Sequence, residues 1–147
     1  MKTHLLATAL LFFGGTSSQA GTDFGTAEDA RAIAEAMISI VDERGIEHAA
    51  AVMHDPEYPF QGTRLGVNLF KNATVVADNR EPEMVAADYA NIRDLTGALV
   101  WPLISEAANG PGDAVLKWYH YDTQEAYDFH CYSLRASRDD GLVMVCR

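Results

Sequence analysis

Leu65-Gly66-Val67-Asn68-Leu69-Phe70-Lys71-Asn72-Ala73-Thr74-Val75-Val76-Ala77 contains two short runs, Leu65 to Phe70 and Thr74 to Ala77, separated by Lys71-Asn72. Apolar and β-branched residues dominate both runs, which suits a pleated surface buried on at least one side. A short polar break between two such runs predicts a hairpin. The sheet therefore begins near the middle of the chain, and the flanking segments have to cover it.

Upstream, Thr26-Ala27-Glu28-Asp29 supplies a capping residue and early acids, which favour the positive end of a helix dipole. Ala30, Ile33, Ala34, Met37, Ile40 and Val41 recur at three- and four-residue steps, so a helix with one apolar stripe runs to about Arg44. Gly45 stops it. Ile46 to Met53 reads as a shorter helix ending before Asp55-Pro56, because the residue before a proline is pushed out of the helical region. Residues 54–62 form a loop with two prolines.

Downstream, residues 78–96 make a long, mostly polar crossing that contains Pro82 and has no strong period. Ordered loops of that length are commonly functional. Gly97 leads into a helix from about Ala98 to Ala108, which Asn109-Gly110-Pro111-Gly112 terminates. Ala114 to Tyr121, Ala126 to Arg135 and Leu142 to Cys146 then read as three strands in succession. Helices first and strands in sequence order predict an α+β fold, an antiparallel sheet of about five strands with helices packed on it.

The first twenty residues read as an export signal. Lys2 and His4 precede an apolar run from Leu5 to Phe13, and Ser18-Gln19-Ala20 forms a small-residue cleavage site. That run is shorter than the about 20 apolar residues needed to span a bilayer, and cleavage after Ala20 is expected to release a soluble protein, periplasmic or secreted. Residues 21–147 then form one domain of ordinary size. Losing Lys2 takes the net charge from −10 to −11, with 21 acidic side chains retained. Such a surface disfavours nucleic acid.

Cys131 and Cys146 are the only cysteines. Their midpoint falls in Ser137-Arg138-Asp139-Asp140-Gly141, a turn-forming stretch between two β-rich runs, so the two are expected to face each other across a hairpin and pair.

Four pieces of the chain carry a resemblance to a known family. Gly66 to Asn79 looks like a strand, a short turn and a return strand leading to a pocket loop; Asn91-Ile92-Arg93-Asp94-Leu95-Thr96-Gly97 looks like the stretch before a pocket-side helix. Ala108-Asn109-Gly110-Pro111-Gly112-Asp113 entering Ala114 to Trp118 is similar to a glycine-rich turn before an aromatic strand, and Cys131 to Arg135 with Gly141 to Cys146 is similar to a closing hairpin. The mature chain thus resembles the single Cache domains, the PAS-like extracytoplasmic sensing modules of bacterial receptors. It departs from them around Met144 to Arg147 and in carrying a cysteine on the closing strand. With no membrane helix or signalling domain after Cys146, the resemblance implies a free-standing module.

The resemblance implies a pocket between sheet and crossing segment that holds a small organic acid, an amino acid or a related metabolite, and no cofactor. The residues are compatible with that. Strand parity groups Asn68 with Phe70, Trp118 with His120, and His130 with Tyr132. These, with Trp101 and with Arg93 as a two-pronged grip for a carboxylate, are the candidate ligand-binding set. Parity does not say which face meets the ligand, and a buried disulfide would put His130 and Tyr132 opposite Cys131, Tyr127 and Phe129.

Other chemistries find less support. His48, His54 and Asp55, or His120, Asp122 and His130, match no closed metal-ligand spacing, and no C-x-x-C-H exists for haem. Glu106, Asp94 and His130 offer acid and base groups without a nucleophile elbow, phosphate loop or zinc helix, so a non-enzyme is expected. The remaining alternative is an accessory subunit that uses its surface to bind a protein partner in the same compartment.

Overall fold

The computed structural model describes residues 24–58 and 60–147, so the export signal expected over residues 1–20 lies outside the described residues. Helix α1 (Ala27–Arg44) starts with a capping box: the Thr26 hydroxyl accepts from the Asp29 backbone N–H at 3.1 Å, and the Asp29 carboxylate accepts from the Thr26 N–H at 3.1 Å. Ala30, Ile33, Ala34, Met37 and Val41 are its buried stripe, and Ile40 flanks it half-buried. Gly45, at φ 91°, turns the chain into α2 (Ile46–Met53), and Asp139 from the far hairpin accepts the Ile46 N–H at 3.0 Å.

The strands β1 (Gly66–Lys71), β2 (Thr74–Asp78), β3 (Asp113–Tyr119), β4 (Ala126–Arg135) and β5 (Gly141–Cys146) form one sheet in the order β2-β1-β5-β4-β3. Every neighbouring pair is antiparallel. This is the expected α+β arrangement. Helices α1 and α2 cover one face, where Val67, Leu69, Val143 and Val145 are buried. Helix α3 (Val100–Ala108) and the crossing segment cover the other, where Phe70 meets Trp101 at 5.6 Å between ring centroids. Strand β5 is buried along its whole length because it lies mid-sheet with a layer on each side, so its sequence shows a continuous apolar run without alternation.

Two boundaries lie two residues from expectation, each for a local reason, and the other strand ends lie within one residue. Helix α3 starts at Val100 rather than Ala98, because the Asp94 carboxylate takes the Thr96 and Ala98 N–H groups at 2.8 and 3.0 Å and holds them in a turn. Strand β3 ends at Tyr119 rather than Tyr121, because the His120 Nδ1 accepts the Asp122 and Thr123 N–H groups, both at 3.2 Å, and bends the chain away from the ladder. Cys131 and Cys146 stand directly opposite in the β4–β5 register and are joined by a disulfide. No helix among the described residues is long and apolar enough to cross a membrane.

Candidate functional site

The sheet face under the crossing segment is not fully covered. Asn68, Leu116, Trp118, Phe129, Met144 and Cys146 floor a recess there, and Glu81, Tyr89, Val100 and Tyr121 close over it. It encloses about 410 Å³ of atom-free space including its mouth.

Asp78, at the end of β2, organises this region. Its carboxylate is 2% exposed and accepts the backbone N–H groups of Arg80 at 2.9 Å and Glu81 at 2.8 Å, and the Asn68 amide N–H at 2.5 Å. One buried side chain thus folds the crossing segment back over the sheet and sets the rotation of the Asn68 amide. With one N–H of its amide held by Asp78, Asn68 keeps its carbonyl oxygen to offer the recess.

Burial pushes the Asp78 carboxyl above the usual carboxylate value; the hydrogen bonds from Glu81, Arg80 and Asn68 hold it back and the Glu83 charge pushes it further up. Glu81 is raised first by burial, then by the negative charges of Asp78 and Glu83, while the Trp118 indole acts as a hydrogen-bond donor in the other direction. The Tyr89 and Tyr121 phenols are both pushed above their ordinary value, first by burial and then by the nearby carboxylates, and stay neutral. No lysine, arginine or histidine lines the recess among the described residues. The nearest guanidinium, Arg80, sits 4.7 Å from the centroid of the Tyr121 ring and donates to the Arg64 carbonyl at 2.7 Å and the Asp122 carboxylate at 3.3 Å.

The candidate set divides in this geometry. Asn68 and Trp118 line the recess. Phe70 lies on the same face, buried, with its ring 5.0 Å from Tyr89, and Trp101 stands behind Phe70 on α3. His120 is buried beside Phe24 and Tyr127, with ring centroids 4.7 and 5.1 Å away, and serves the turn after β3. Arg93 is exposed and donates to the Gly97 carbonyl at 2.7 Å, outside the recess, so the expected carboxylate grip is not formed there. His130 and Tyr132 occupy the opposite face, where the Arg31 guanidinium lies 5.1 Å from the Tyr132 ring centroid. Because Cys131 faces the recess side, alternation turns both its neighbours away.

Glu81, Tyr89 and Tyr121 were missing from the sequence-derived set. The first two sit in the aperiodic crossing, where nothing in spacing tells an inward from an outward side chain. Tyr121 lies past the end of β3, where strand parity no longer applies. Among the described residues no three His, Cys, Asp or Glu side chains are placed to hold a metal ion. Asp94 holds its own turn and accepts the Lys117 N–H of β3 at 3.3 Å.

No family model matches the sequence, and no curated protein matches it. Solved structures do share the fold. A methyl-accepting chemotaxis protein from Vibrio parahaemolyticus RIMD 2210633 superposes with a TM-score of 0.62 at 11% identity, over 82% of this chain and 86% of the other. The periplasmic sensor domain of a chemotaxis protein gives 0.58 at 13% identity, over 82% and 88%. A Cache chemosensory domain described for its carboxylic acid recognition gives 0.62 at 9% identity, over 82% and 90%. The chain has the fold of a single Cache domain.

Proposed function

We propose that this protein is an exported, non-catalytic sensory-type module that binds a small metabolite in the recess between its sheet and the crossing segment. The observation that carries this reading is the recess itself: a concave, largely aromatic space with few polar groups, beneath the segment that Asp78 anchors. Ligand sites combine apolar walls with a small number of placed polar groups in this way. The solved counterparts support the sensory reading, since they are sensor domains and one is described as recognising carboxylic acids. That kinship makes small organic acids and related metabolites such as amino acids the first class to test.

A thermal-shift screen tests this on protein recovered from the exported fraction, whose first residue is expected to be Gly21. The panel is small carboxylates, amino acids and amines. A ligand that binds only the folded state adds about 2.7 kcal/mol of stability at one hundred times its dissociation constant. One chemical class is expected to raise the melting temperature in a saturable manner. A flat response across the panel contradicts the binding reading.

A further inference from the structure

We infer that the recess selects a small protonated amine over an organic acid, an inference that rests on the binding reading above and names its ligand class. Among the described residues, the one charged side chain facing the space is the Glu81 carboxylate. Asn68 adds its carbonyl oxygen, with one amide N–H held by Asp78, and the Tyr89 and Tyr121 hydroxyls can donate or accept. Trp118, Tyr89, Tyr121 and Phe129 present aromatic rings, whose faces carry partial negative charge and attract cations. Behind them Asp78 adds a second, buried carboxylate.

An organic acid placed here would meet the Glu81 carboxylate, with the buried Asp78 carboxylate beyond Asn68, in a partly desolvated site without a cation inside the recess to balance its charge. Arg80 does not serve that purpose: it lies against Tyr121, with donors engaged by the Arg64 carbonyl and Asp122. Arg93 is bound to its own loop. An ammonium head instead supplies the positive charge the recess lacks, with N–H donors for the Glu81 carboxylate and the Asn68 carbonyl, while the rings enclose its short alkyl part. The raised Asp78 and Glu81 carboxyls fit this, as a buried and a half-buried acid with no cationic partner in the recess. The recess, about 410 Å³ including its mouth, suits a small molecule.

The test uses three compounds of nearly equal size, ethylammonium, ethanol and acetate, titrated calorimetrically into the wild-type protein at matched ionic strength and neutral pH. Ethylammonium is expected to bind at least tenfold more tightly than ethanol, with acetate silent. Glu81→Gln, at a partly exposed position, is expected to weaken ethylammonium at least tenfold without changing the melting temperature of the free protein. Acetate binding more tightly than ethylammonium overturns the amine assignment and leaves the binding reading standing. Equal binding of ethanol and ethylammonium overturns it too, as does unchanged ethylammonium affinity in a folded Glu81→Gln protein. Silence of all three compounds, together with a flat thermal-shift panel, removes both readings. The wild-type series decides the matter even if the variant does not fold.

Discussion

Phe70→Ala is expected to lower the stability of the free protein by about 3–5 kcal/mol, the usual range for emptying an aromatic core position. Phe70 is fully buried, opposes Leu142 of β5 in the ladder, and packs its ring 5.0 Å from Tyr89 and 5.6 Å from Trp101. It therefore joins three layers of the molecule: the sheet, the crossing segment and α3. These elements are tied into the sheet by different strands, so the gap left by the ring cannot close without moving one of them, and the cavity cost is added to the lost transfer energy. A domain with a total stability of about 5–15 kcal/mol loses a large fraction of it. Urea unfolding checks this. A loss below about 1 kcal/mol, the size of a minor core trimming, would mean that the ring does not join these layers.

Removing the disulfide by Cys131→Ala with Cys146→Ala is the second large effect, about 3 kcal/mol from chain entropy for a loop of this size. The two residues are 15 apart and already opposed in the β4–β5 register, so the bond restricts the unfolded chain without reorganising the native sheet. Comparing urea unfolding of the double variant with the oxidised protein measures it. Equal stability, or two titratable thiols in the untreated protein, would contradict the pairing.

How much of this was legible follows from where periodicity exists. The stripe on α1, the β1–β2 hairpin and the symmetric placing of Cys131 and Cys146 about a turn are local patterns, and the sequence carries them directly. Strand order is a different matter: β5 inserting between β1 and β4 is set by long-range packing, of which only the all-apolar Leu142 to Val145 run gives a sign. At the site, parity correctly separated His130 and Tyr132 from Cys131, but deciding which face holds the recess required knowing where the crossing segment lies. Arg93 illustrates the limit most clearly. Its charge suggested a partner for a carboxylate, whereas the loop closes on itself and uses the guanidinium to hold the Gly97 carbonyl. Asp78 was read only as the first residue of the crossing, because its role depends on backbone groups two and three residues further on.

The central claim is that ligand enters the recess beneath the crossing segment. The most direct measurement is a ¹H–¹⁵N correlation spectrum of the protein during titration with the compound that gives the largest thermal shift, following the two indole N–H signals. Trp118 lines the recess and Trp101 stands behind Phe70. The account predicts a large, saturable movement of the Trp118 indole signal, with the Glu81 and Tyr89 amides moving alongside and Trp101 responding less. An unmoved Trp118 signal, with changes gathered instead at Arg31, His130 and Tyr132 on the opposite face, would contradict it.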